Sequence, residues 1–248
     1  MKNIVTTFTH FCICICFCAC STLVTVDDHP VPPTETTCSP VSGIMACYSF
    51  SEGGKDNSGN NYTAKIVGAT STSDRFGKAN SAYSFTRGNY IELPANTFKT
   101  DEFTYAAWVK PDHIPQQGEV FMILNSGSGQ GDHAMVLAKT NVTGWGMWSY
   151  LNNQGYSEYT YSGSLPTDVT QWYHLVASRS NDLLRVYLNG SLVTSQKMSA
   201  KAFYGDNIRT LIGMRFDGTA SFTGSIDEVK LYNRALNDQE AKQIYDMK

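Results

Sequence analysis

The chain has 248 residues with 19 basic and 22 acidic side chains, a formal net charge of -3. It therefore lacks the basic stripe that would neutralise phosphates, which sets nucleic acid aside as a partner. A hydrophobic content of 42% argues against disorder, and 12% aromatic residues with only 17% charged ones favour sheets over a helical bundle.

The chain opens with MKNIVTTFTHFCICICFCACSTL, in which Lys2 precedes an apolar run from Phe11 to Ala19. That run is too short to span a bilayer and has the form of an export signal over residues 1–19. Cys12, Cys14, Cys16, Cys18 and Cys20 alternate there with Ile, Phe and Ala. At that spacing they would point to one side without a second ligand set, so no metal site is expected from them. Phe17-Cys18-Ala19-Cys20 resembles the bacterial lipoprotein signal, which implies cleavage before Cys20 and its acylation. Membrane contact would then run through that lipid alone. Acylating Cys20 leaves Cys38 and Cys47 as an even pair, either a disulfide closing a small loop or two separate buried thiols. Residues 20–43 hold the anchor and a Pro/Thr-rich linker. Its centre, VTVDDHPVPPTETT over 24–37, has no apolar periodicity and suits an extended form.

From Met45 onward the chain breaks into short alternating runs separated by Gly, Asn, Asp and Ser. Strands are expected at 46–50, 81–86, 103–110, 120–124, 134–138, 172–178 and 210–214. Over 103–110 the two-residue period places Phe103, Tyr105, Ala107 and Val109 on one face and Thr104, Trp108 and Lys110 on the other. Asn189-Gly190 between two apolar runs signals a hairpin with a type I′ turn. Only the tail argues for helix: Asn237 and Glu240 form a capping box ahead of Ala241, Ile244 and Tyr245. The body at 44–248 reads as one all-β domain, a two-sheet antiparallel sandwich with a short C-terminal helix.

Several motifs carry a family resemblance. They are Cys47-Tyr48-Ser49-Phe50, Asp56-Asn57-Ser58-Gly59, Gly77-Lys78-Ala79 leading into Tyr83-Ser84-Phe85, Trp108-Val109-Lys110-Pro111, Trp172-Tyr173-His174, Leu188-Asn189-Gly190, and the stretch GSIDEVKLYNRAL over 224–236. In order and spacing the chain resembles the laminin G-like jelly rolls of the concanavalin A-like lectin/glucanase superfamily. The resemblance implies a jelly roll whose first and last strands lie close together, commonly with one calcium ion. It also implies a surface or secreted module that binds glycans or proteins. Trp108 and Trp172 match framework positions and are assigned to packing.

Asp227 is expected to share a face with Val229 and Leu231 and to point inward, where a carboxylate needs a cation or several donors. Asp56, in a turn rich in amide oxygens, supplies a second anion, so Asp56, Asn61 and Asp227 are the candidate calcium ligands. The alternative is an Asx-turn at Asp56 and a hydrogen-bonded Asp227. Aromatic and amide residues cluster in WGMWSYLNNQGYSEYTY over 145–161. Sugar faces stack on exposed rings while amides take hydroxyls, which makes Trp145, Trp148, Tyr150, Asn152 and Asn153 candidate carbohydrate contacts, with Arg215 in a nearby loop. His174 reads as a satisfied core histidine, and His113 and His133 as loop residues without a nucleophile. No Gly-x-Ser-x-Gly, no His-Glu-x-x-His and no carboxylate pair at strand spacing occurs. The function expected is a non-catalytic, surface-anchored binding module for a glycan or another cell-surface component. A divergent glycan-degrading hydrolase or lyase and a structural or adhesive envelope protein are the alternatives.

Overall fold

Alternation of apolar and polar side chains over short runs yields strands, and a computed structural model describes residues 38–151, 156–198, 202 and 204–247, all within the unit Thr36–Lys248. The export signal, Cys20 and the linker core at 24–37 lie outside these residues. In chain order the strands are β1 (Ile44–Tyr48), β2 (Lys65–Val67), β3 (Thr70–Thr72), β4 (Ala82–Phe85), β5 (Tyr90–Glu92), β6 (Phe103–Pro111), β7 (Glu119–Ser128), β8 (Gly131–Lys139), β9 (Thr143–Leu151), β10 (Tyr156–Tyr161), β11 (Tyr173–Arg179), β12 (Leu183–Leu188), β13 (Ser191–Lys197), β14 (Arg209–Ile212) and β15 (Gly224–Tyr232), followed by helix α1 (Asp238–Tyr245). One sheet has the order β13-β12-β11-β6-β15-β4-β3, with β1 also paired to β15; the other has the order β10-β9-β8-β7-β14-β5-β2. This is the antiparallel jelly-roll sandwich expected, with its first and last strands hydrogen-bonded to each other.

The core between the sheets takes one face of each strand. From β6 it takes Phe103, Tyr105, Ala107 and Val109, as the period requires. A second cluster under α1 buries Ala106, Val176, Tyr187 and Tyr232 against Ala241 and Ile244. The helix starts at the expected capping box, with Asn237 Oδ1 accepting from the Glu240 N–H at 3.0 Å and Glu240 Oε2 accepting from the Asn237 N–H at 3.0 Å. Asn189 and Gly190 both take positive φ, 49° and 77°, the turn their hairpin needs. Cys38 and Cys47 form a disulfide with Cα atoms 6.3 Å apart, which resolves the pairing question. Among the described residues no helix is long and apolar enough to cross a membrane.

Strand β15 departs from simple alternation. Asp227 opposes Trp108 and Lys230 opposes Ala106, so β15 carries one residue more than β6 between these pairs. The bulge holds Glu228 at φ 51°. An inserted residue reverses the parity of everything beyond it. Ile226, Val229 and Leu231 therefore enter the inter-sheet core, and Asp227 lies with Lys230 and Tyr232 on the opposite face. Asp227 is inward only in being 2% exposed; it does not share the face of Val229 and Leu231.

Candidate carbohydrate-binding face

The outer face of the seven-stranded sheet is built by the parity of its middle strands. Trp148 on β9 stands between Ala134 on β8 and Tyr159 on β10, while Gly146, two residues earlier, stands between Val136 and Tyr161. Met122, Ala134 and Val136 make a small apolar floor on which Val120, Trp148, Tyr161 and Ala220 pack. A Cβ on Gly146 would meet the Tyr161 ring at 2.4 Å, so glycine here is what lets that ring lie across the strand. Tyr159, with its ring 5.9 Å from that of Tyr161, is 47% exposed, and Trp148 is half-buried.

A polar group borders these rings. Arg215 follows β14, and its Nε donates to Asp132 Oδ2 at 3.1 Å while its Nη1 donates to Asp217 Oδ2 at 2.9 Å. Asn125 Nδ2 also donates to Asp132 Oδ2, at 3.0 Å, and Asn125 Oδ1 accepts the Phe216 N–H at 3.0 Å. The Arg215 guanidinium sits over the Trp148 ring at 5.6 Å and over Phe216 at 5.2 Å. Burial pushes the Asp132 carboxyl above the usual carboxylate range, opposed by Arg215, Asn125 and the neighbouring Trp148. Asp132 through its Oδ2 and Asp217 are both paired with Arg215, which fixes the guanidinium beside the rings. Such a face can stack a pyranose or furanose ring and hydrogen-bond its hydroxyls.

Of the carbohydrate contacts expected from sequence, Trp148 and Arg215 meet here. Trp145 does not: it has the parity of Met147, is 1% exposed, and packs in the core with its ring 5.3 Å from Tyr173. Tyr150 has the parity of Trp148, but its side chain lies outside the described residues, as do Asn152 and Asn153. Sequence reasoning missed Tyr159, Tyr161, Asn125 and Asp132. The two-residue period from Ala134 and Val136 back to Asp132 was the available signal.

The residues named for calcium do not fit the ion. Asp56 Oδ1 accepts N–H bonds from Cys47 and Ser58, both at 2.9 Å; Oδ2 accepts from Ser58 Oγ at 2.8 Å and the Tyr62 N–H at 2.9 Å. Three backbone N–H groups and the Ser58 hydroxyl, which also reaches the Met45 carbonyl at 3.0 Å, thus occupy the carboxylate as an Asx-type turn anchor. Asn61 is exposed, at φ 62°. Asp227 Oδ1 accepts the Glu228 N–H at 2.7 Å and Oδ2 faces Arg75 Nη1 at 3.4 Å. Among the described residues no group of three or more His, Cys, Asp or Glu gathers as a metal site.

His113 lies in the loop after β6, as expected, while His133 and His174 differ from expectation. His133 is not in a loop but inside β8, buried, with Nδ1 2.5 Å from Ser149 Oγ. His174 is buried against Trp108 and Tyr245, yet its Nδ1 has no hydrogen-bond partner among the described residues. Burial, then Lys230 and Arg75, push His174 down to about 3, so it remains neutral. Trp108 and Trp172 are half-buried and line a groove on the outer face of the eight-stranded sheet.

Comparison with known proteins agrees with this architecture. A family model described as the concanavalin A-like lectin/glucanases superfamily matches residues 85–242. Domain 4 of AbnA, a GH43 extracellular arabinanase from Geobacillus stearothermophilus solved in complex with arabinotriose, superposes with a TM-score of 0.68 at 21% identity, over 82% of this chain and 98% of that one. Trypanosoma rangeli sialidase in complex with the inhibitor DANA superposes with a TM-score of 0.53 at 19% identity, over 83% of this chain and 33% of that one. Adhesion G-protein coupled receptor V1 of Danio rerio is 24% identical over 156 residues, 58% of this chain. The match spans 2% of that receptor's length.

Proposed function

The chain belongs to the concanavalin A-like lectin/glucanase superfamily, and from that premise we propose that it is a non-catalytic carbohydrate-binding module, exported and held at a membrane surface by a lipid on Cys20. One observation carries the binding reading: Trp148, Tyr159 and Tyr161 stand together on the outer face of the seven-stranded sheet, beside the Arg215 and Asp132 pair. Stacking rings next to fixed polar groups suit a sugar better than a peptide or a phosphate. The carboxylates at the face are engaged by Arg215, which favours binding over hydrolysis. Calcium takes no part in this reading, because Asp56 is occupied by protein donors.

The arabinotriose in the arabinanase domain makes arabino-oligosaccharides the first probe. Titration of the full-length protein with arabinotriose and with a panel of neutral glycans should show saturable binding that Trp148→Ala weakens. Release of reducing sugar from a bound glycan, abolished by a carboxylate substitution, would replace the binding module with a hydrolase.

A further inference from the structure

On the opposite sheet, the turn after β3 holds two side chains in fixed positions. Asp74 Oδ1 accepts the N–H groups of Phe76 at 2.8 Å and Lys78 at 2.9 Å, and Gly77 closes the turn at φ 84°. The turn sets Phe76 66% exposed and carries the Arg75 guanidinium between two rings, 4.3 Å from the centre of Phe76 and 4.6 Å from that of Trp108. The Arg75 side chain is only 10% exposed. Its sole hydrogen bond among the described residues is the long one from Nη1 to Asp227 Oδ2, at 3.4 Å. A guanidinium has five N–H donors in its plane, so most of this fork is unanswered.

The groove beside it has a volume of about 530 Å³ and is lined by Arg75, Phe76, Trp108, Thr170, Gln171 and Trp172, with the end of α1 along one side. Lys110 stands over the Trp172 ring at 5.5 Å and has no ion pair among the described residues. Asp246, at the helix end, is engaged by Lys242 through both of its oxygens. Asp227 is held independently by the Glu228 N–H. The groove thus combines flat aromatic walls with a guanidinium whose fork is largely unanswered, and Lys110 stands near its Trp172 wall.

We propose that this groove is a second binding site, for a carboxylate-bearing sugar unit such as a uronate, with Arg75 receiving the carboxylate and Phe76 and Trp172 flanking the ring. A planar fork fixed between two rings matches a carboxylate through two parallel hydrogen bonds. A neutral sugar leaves those donors without an ionic acceptor. An apolar peptide side chain strips water from the guanidinium and returns nothing. The site shares the carbohydrate class of the function proposed above but none of its residues, so each fails alone.

The test is titration of the full-length protein with trigalacturonate and with its methyl ester, followed by tryptophan fluorescence. The acid should bind at least about tenfold more tightly than the ester, since the ester keeps the shape and loses the charge. Phe76→Ala should weaken acid binding at least about fivefold with an unchanged Tm, because that ring is largely in solvent. Arg75→Lys, which keeps the charge but not the fork, should lower the preference for acid over ester. Trp148→Ala should leave trigalacturonate binding unchanged. No binding, equal affinity for acid and ester, insensitivity to Phe76→Ala, or loss through Trp148→Ala would each overturn the proposal. The last would move trigalacturonate to the other face, while the first three leave that face, tested with neutral glycans, as it stands.

Discussion

Arg215 lies over the indole of Trp148, 5.6 Å from its ring centre, while its Nε donates to the buried Asp132 at 3.1 Å. One guanidinium thus orients a ring and neutralises the carboxylate beside it. Truncating Trp148 should remove a stacking surface worth about 1 kcal/mol, a loss of at least about fivefold in affinity for a neutral glycan. Trp145→Ala should behave differently: as a core ring its loss should cost about 3 to 5 kcal/mol of stability. Calorimetric titration of the two variants beside their thermal melts separates the roles. A Trp148→Ala protein that binds like wild type would remove this face from the function.

His174 and Asp227, both near Arg75, are shifted in opposite directions, so their contributions to stability oppose each other. The buried His174 stays neutral down to about 3, while the unfolded residue protonates near 6.5. Its stabilising contribution is present above 6.5 and is lost as pH falls through that window. Burial, then Glu228, push Asp227 up to about 7 from 3.8. Its contribution is present below 3.8 and is lost as pH rises towards 7. Between 3.8 and 6.5 the two slopes oppose. Asp227→Asn should leave the histidine slope alone, with stability falling as the solution is acidified by up to about 1.4 kcal/mol per pH unit. His174→Gln should give the reverse slope. Urea melts of the three proteins from pH 4 to 6.5 test this, and parallel profiles would refute it.

Asp56 is a turn anchor, so its removal should act on stability and not on metal affinity. Asp56→Ala leaves the N–H groups of Cys47, Ser58 and Tyr62 without their acceptor. The expected cost is about 2 to 4 kcal/mol, the same with calcium or with chelator. A calcium-dependent rise in the Tm of the wild-type protein that Asp56→Ala abolishes would instead make Asp56 a ligand.

The disulfide between Cys38 and Cys47 closes a short loop and should contribute about 2 to 3 kcal/mol. Cys38→Ser with Cys47→Ser should lower the urea midpoint accordingly. Cys20→Ser should leave folding untouched and release the protein from the membrane fraction of its native host. Mass spectrometry of the wild-type amino terminus should find acyl chains on Cys20.

Most of the scaffold was legible in sequence because it follows local periodicity. The 103–109 alternation, the Asn189-Gly190 turn and the Asn237 capping box each depend on near neighbours, and each appears as expected. Asp227 was misplaced because a bulge shifts parity without a composition signal, and Glu228 at positive φ is not a residue that announces one. Trp145 and Trp148 differ by three positions and so fall on opposite faces; alternation alone leaves open which face is the core. Asp132 and Arg215 are 83 residues apart and meet only through sheet pairing, beyond the reach of any local pattern.

The bridge from Cys38 to Cys47 also decides how the domain bears tension. A pull arriving along the chain at residue 38 crosses the sulfur bridge directly into β1, and residues 39–46 carry none of it. The load enters opposite Lys230, inside the β1–β15 ladder, instead of at the strand's free end, Ile44. Peeling therefore does not begin at Ile44; the first rung to feel the load is the Cys47–Lys230 pair, at the inner end of the strand.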